Sequence, residues 1–221
     1  MLYSPLVSYT PFSYTIATMI TEVIFDVETK RLFSEIEGNE PGKLGVSIVS
    51  SYIRTVDEDQ HEIKGELKSF WEDDFGELFA VMKTAKRIIG FNTLKFDVPA
   101  LQPYTEENFS KLPHFDIMQA VRSKLGHNLS LSTLGRYTLG HDKIDVGTNA
   151  VLYWKQHDEE SLAKLKLYCE ADVMLTRDLY DYGVVNKALK YLDNWNNVAS
   201  FSVDFSYPKE VIDSTRQIGL F

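Results

Sequence analysis

Apolar residues along the chain fall into short runs broken by polar, turn-rich stretches, followed by one long helical stripe. VIFDVET, residues 23 to 29, and KLGVSIVSSYI, residues 43 to 53, read as strands rich in β-branched and aromatic residues. The acidic DEDQ at 57 to 60 reads as a hairpin tip, with a third strand returning over 61 to 70. Phe75, Leu78, Phe79 and Met82 recur at helical spacing and predict a helix over about 74 to 86. RIIGFN, residues 87 to 92, predicts a fourth strand, FDVPALQPY the start of a helix, and HFDIMQAV, residues 114 to 121, a short fifth strand. A helical segment around SLSTLGRYTLG follows.

The strongest helix signal runs from Asp158, a good N-cap residue, to about Tyr182. Leu162, Leu165, Tyr168, Asp172, Leu175 and Leu179 share its stripe at steps of three or four. Beyond Gly183 the pattern predicts a further helix to about Trp195, then a tail in which FSVDFSY alternates like a strand. Strands and helices in this order predict an α/β sandwich with a mixed sheet.

Four acids interrupt these apolar patterns. In a strand, alternate side chains share a face, so Ile24, Asp26 and Glu28 point one way and Val23, Phe25 and Val27 the other. Asp97 ends the run NTLKFD after a predicted strand, and Asp172 stands where the helix stripe calls for an aliphatic residue. Buried carboxylates are costly unless positive charge pairs with them. A bound cation supplies that charge, and ligands that are all oxygen favour Mg²⁺ or Mn²⁺ over Zn²⁺. Two such ions held by carboxylates about 3.5–4 Å apart are a recurrent device of phosphodiester chemistry. Tyr168 lies one helical turn before Asp172, where its hydroxyl can orient an attacking water.

Composition narrows the picture further. With 44% hydrophobic and 25% charged residues, the 221-residue chain is a folded globular protein rather than a disordered one. The single cysteine, Cys169, excludes an internal disulfide and a cysteine-cluster metal site, and fits a reducing compartment. The net charge of −9 argues against binding nucleic acid by bulk electrostatics. Two divalent cations among four carboxylates add +4 and leave −5, so the reacting centre itself would be neutralised. The five histidines show no ligand spacing. The first 21 residues carry no charge, lack the basic start of a secretory signal, and contain Pro5 and Pro11, which spoil a membrane span. The expectation is a cytoplasmic protein with an unusual N-terminal extension, either an added edge strand or a product of a start codon placed upstream of Met19.

DVE at 26 to 28, NTLKFD at 92 to 97 and YCEAD at 168 to 172 resemble the three motifs of the DEDD superfamily of 3'-5' exonucleases: Asp-x-Glu, Asn-x3-Phe-Asp and Tyr-x3-Asp. The tyrosine is that of the DEDDy branch, which includes the proofreading domains of family B DNA polymerases and small stand-alone predicted exonucleases. The sister branch carries a histidine five residues before the last Asp, where this chain has Leu167.

The resemblance implies a ribonuclease H-like three-layer sandwich, a mixed five-stranded central sheet flanked by helices. The exonuclease domain would span 20 to 185, with an N-terminal extension over 1 to 19 and a C-terminal helix and tail over 186 to 221 packed on the domain. It implies two divalent cations, Mg²⁺ or Mn²⁺: Asp26, Glu28 and Asp172 on the nucleophile side, Asp26 bridging to a second ion served by Asp97, and Tyr168 touching the water. Asn92 would contact the substrate strand or brace the site. Many relatives have Thr-Thr-Gly after the first motif, whereas this chain has Thr29, Lys30 and Arg31. Lys30 and Arg31 can meet a phosphate instead.

The expected activity is hydrolysis of the 3' ends of single-stranded DNA or RNA, alone or beside a polymerase or helicase. Two alternatives remain: an interaction module that kept the fold without the chemistry, and a structure-selective endonuclease on the same fold. Asp116, in HFDIM, reads equally as an acid behind the site or as a strand-end cap. For Phe33, Phe91 and Tyr137, core packing is favoured over stacking on a base.

Overall fold

The protein is described from a computed structural model covering residues 19–141 and 148–211; apart from Met19 the N-terminal extension lies outside these residues. Five strands form one sheet: β1 (Ile20–Thr29), β2 (Val46–Val56), β3 (Glu62–Phe70), β4 (Arg87–Gly90) and β5 (His114–Asp116), in the order β3-β2-β1-β4-β5. β1 pairs antiparallel with β2 and parallel with β4; β2–β3 is antiparallel and β4–β5 parallel. The sheet is therefore mixed, with β1 at its centre, and the fold is the ribonuclease H-like α/β sandwich expected from the sequence.

Among the described residues six α-helices accompany the sheet: α1 (Phe75–Thr84), α2 (Asp97–Leu101), α3 (Ile117–Leu125), α4 (Leu131–Leu139), α5 (Thr148–Gln156) and α6 (Glu159–Asn186). The two-residue alternation of β1 sorts them into layers. Val23, Phe25 and Val27 pack on one face against Phe75, Leu78 and Met82 of α1 and against Val98 and Leu101 of α2. Ile24 packs on the other against Ile117, Val121, Leu134, Val173 and Leu179 from α3, α4 and α6. Coverage on both faces explains why β1 reads as a nearly continuous apolar run. Phe25 is 1% exposed and meets the ring of Phe109 edge-on at 6.3 Å. Cutting such a side chain to alanine costs about 3–5 kcal/mol.

α6 is the element that brings chemistry to the sheet. Its N-terminus is capped by Asp158, which accepts the Ser161 N–H at 2.8 Å. Its buried face includes Leu165, Tyr168, Cys169, Asp172, Val173, Thr176, Leu179 and Tyr180.

The structure corrects two sequence expectations. The strand expected over 114 to 121 stops at Asp116, because Asp116 caps α3 by accepting the Gln119 N–H and Ile117 is already helical. The helix expected beyond Gly183 ends at Asn186, where Lys187 takes a left-handed φ of 55° and donates its N–H to Gly183. A hairpin replaces it, β6 (Ala188–Leu192) paired with β7 (Val198–Ser202). Asp193 nucleates that turn by accepting the N–H groups of Trp195 and Asn197, each at 2.8 Å. The alternation of FSVDFSY is real: Phe201, Val203, Phe205 and Tyr207 are buried and the residues between them exposed. Gly183 permits the approach of Phe205, whose ring would lie 2.2 Å from a Cβ at that position.

Candidate active site

The C-terminal end of β1 carries Asp26 and Glu28 towards α6, on the same strand face as Ile24. The β1–β2 register shifts between Glu28 and Thr29, an irregularity that breaks the ladder where the acids end. α6 supplies Asp172 against them. Carboxylate oxygens of Asp26, Glu28 and Asp172 all lie within 4.8 Å of one another, a group able to hold a metal ion.

Asp97 approaches from another direction, as the first residue of α2 beyond β4. It lines the same cleft as Asp26, Glu28, Tyr168 and Asp172, a space of about 300 Å³. Asp97 is 3% exposed, and its Oδ1 is buried with no hydrogen-bond partner. Burial, with the nearby charges of Asp116 and Asp172, pushes its pKa up to about 8, although the Val27 backbone amide acts the other way. A buried carboxylate oxygen without a donor, beside three clustered carboxylates, is what a set of hard-cation ligands looks like without its cation. The residues present fit divalent cations.

Tyr168 lies one turn before Asp172 on α6 and hydrogen-bonds its carboxylate. Burial first, then the charges of Asp172, Glu28 and Asp26, hold the phenol well above its ordinary pKa. It therefore stays a neutral O–H donor at physiological pH. Cys169 lies behind the acids, fully buried, with Sγ 3.5 Å from the Asp26 carbonyl oxygen and 3.8 Å from its Oδ2. Burial and the Asp26 and Glu28 charges keep the thiol protonated.

The remaining expected residues divide. Thr29, Arg31 and Asn92 line the cleft. Thr29 is buried, its hydroxyl donating to the Arg31 carbonyl at 2.9 Å, and Arg31 Nε donates to the Leu44 carbonyl at 3.3 Å. Lys30 is turned aside: it pairs with Glu72 and lies 5.2 Å from the centre of the Trp154 ring, outside the cleft lining. Phe33 is 40% exposed at the cleft and meets Phe96 edge-on at 6.0 Å, so it is not the core residue that the sequence favoured. Phe91 also lines the cleft. Val151 of α5 completes the wall. The apolar spacing of Ala150, Val151 and Trp154 was the signal available for that helix.

The model of the RNase_H superfamily matches residues 23–184. The chain belongs to that superfamily. Among solved structures, the family B DNA polymerase from the hyperthermophilic archaeon Pyrobaculum calidifontis is similar to this ribonuclease H-like chain, with a TM-score of 0.53 and 16% sequence identity. The likeness covers 75% of this chain and 24% of the polymerase chain, and it is one of fold. No curated protein matches the chain. Among the described residues, no helix is long and apolar enough to cross a membrane.

Proposed function

We propose that this chain is a metal-dependent 3'-5' exonuclease of the DEDDy type, releasing nucleoside monophosphates from the 3' ends of single-stranded DNA or RNA. The observation that carries the reading is convergence: Asp26 and Glu28 from β1, Asp97 from α2, and Tyr168 and Asp172 from α6 line one cleft. They are the residues of all three motifs. An interaction module would have no need to line one cleft with four carboxylates, two of them buried and two half-buried.

In this reading Asp26, Glu28 and Asp172 hold one divalent cation, and Asp97 with Asp26 holds the second. When bound, Mg²⁺ or Mn²⁺ would acidify a water and stabilise the leaving oxygen of an in-line displacement. The neutral Tyr168 hydroxyl donates to Asp172, which fixes its direction, and its oxygen accepts from the nucleophilic water and so orients it. Arg31 offers a charge to a substrate phosphate. The exposed faces of Phe33 and Phe91 offer stacking to the terminal bases, which favours single strands, whose bases can be splayed. The domain spans residues 20–185, with the hairpin and tail as an addition to it. A single cysteine held as a buried thiol suits the cytoplasm.

The test is incubation of 5'-labelled single-stranded DNA and RNA with the protein and Mn²⁺, repeated with Asp26→Ala and Asp172→Ala. Mononucleotide release by the parent chain and its loss in both variants support the reading. Short oligomers as products favour an endonuclease, and equal degradation by the variants refutes the site.

A further inference from the structure

Asp116 belongs to none of the three motifs, yet its carboxylate is 5% exposed and accepts three backbone N–H groups. Oδ1 accepts from Asn92 at 2.9 Å and from Gln119 at 3.2 Å, and Oδ2 from Leu94 at 3.1 Å. The bond to Gln119 is the cap of α3. The other two bonds reach from β5 to the turn that follows β4. In the parallel β4–β5 register Asp116 stands opposite Gly90, so its carboxylate sits where the chain leaves the sheet. Gly90 keeps that corner open: a Cβ there would lie 2.1 Å from the Thr93 side chain.

The turn needs an external brace. Asn92 has a φ of 64°, in the left-handed region that a non-glycine residue occupies only at an energetic cost. α2 has five residues, and Phe96 before it makes no side-chain cap, so the helix is too short to hold its own direction. The turn behaves as a unit because its bonds are internal: Lys95 and Phe96 donate to the Asn92 carbonyl, and Val98 donates to that of Thr93. Anchoring the amides of residues 92 and 94 therefore places Asp97, whose buried Oδ1 has no hydrogen-bond partner.

We infer that Asp116 is a positioning residue: it clamps the 91–96 turn so that the Asp97 carboxylate stays in the cleft to serve the second cation. The inference rests on the metal-dependent nuclease reading above. A mere cap of α3 would predict something different, a lowered Tm with cation binding unchanged.

The experiment compares the parent chain with Asp116→Ala, Asp116→Asn and Asp97→Ala by Mn²⁺ titration calorimetry without nucleic acid, thermal unfolding in chelator, and mononucleotide release. Asp116→Ala is expected to keep the cation step of Asp26, Glu28 and Asp172 and to weaken the other step about 10–100-fold, as Asp97→Ala does. Its kcat should fall with KM for the oligonucleotide unchanged, and excess Mn²⁺ should restore the rate in Asp116→Ala but not in Asp97→Ala. Asp116→Asn keeps one acceptor oxygen and should fall between; it decides alone if the alanine variant does not fold. Parental binding of both cations by the variants overturns the positioning role, as does equal weakening of both steps with a lowered Tm. A parent chain that binds no Mn²⁺ and releases no mononucleotide overturns the nuclease reading, and this inference with it.

Discussion

Glu22 and Arg54 stand opposite each other on β1 and β2, both buried, with Arg54 Nε donating to Glu22 Oε2 at 2.8 Å. Tyr180 of α6 donates to Glu22 at 3.1 Å, Tyr207 donates to it as well, and Asp181 pairs with the same guanidinium at 2.8 Å. Glu22 shares a strand face with Asp26 and Glu28. α6 runs antiparallel along that face, meeting Glu22 through Tyr180 and Asp26 through Cys169. One strand thus carries a buried acid near one end, answered by an internal arginine, and two half-buried acids near the other, clustered with Asp172.

Arg54→Met should leave Glu22 as an uncompensated buried charge and cost about 3–5 kcal/mol. Urea unfolding should show this loss while Mn²⁺ titration at the distant acids stays close to parental. A variant as stable as the parent would contradict the role assigned to the pair.

Tyr168→Phe keeps the ring in its packed position and removes only the hydroxyl. Mn²⁺ affinity should be preserved while kcat falls about 10²-fold. An unchanged kcat would reduce Tyr168 to a core aromatic.

The raised pKa of Asp97 makes the stability of the chelated protein depend on pH. Protonated Asp97 favours the fold, so its contribution is fully present below the ordinary carboxylate pKa near 3.8 and is lost as pH rises towards about 8. Tm in chelator should therefore decline between those limits, less steeply in Asp97→Asn, and added Mn²⁺ should reverse the decline at the alkaline end. A parental Tm profile that is flat over this window would argue against burial of the group.

Arg31 and Lys30 are neighbours in sequence with different surroundings, and their substitutions should separate. Arg31→Ala should raise KM for single strands and reduce the salt dependence of binding by about one phosphate contact. Lys30→Ala should leave both near parental values, because Glu72 and Trp154 already engage the ammonium. Equal effects of the two, measured by binding at graded salt, would place Lys30 on the substrate path after all.

What the sequence by itself determined is local and periodic. A two-residue alternation puts Asp26 and Glu28 on one strand face, and a four-residue step puts Tyr168 one turn from Asp172. Backbone geometry imposes both relations wherever the elements lie. Asp116 could be read equally as a cap or as an acid behind the site; it caps α3 through Gln119 and also accepts the amides of Asn92 and Leu94, partners that lie on two sides of it in the chain. The tertiary structure decided what depends on distant segments meeting: α6 laid along β1, Lys30 drawn off by Glu72, and Phe33 left at the cleft. It also decided the hairpin after Gly183, where helix-like spacing gave way to a turn held by Asp193 and to the seat that Gly183 leaves for Phe205. Periodicity reports which face a residue occupies; which partner that face meets is set by packing across the whole chain.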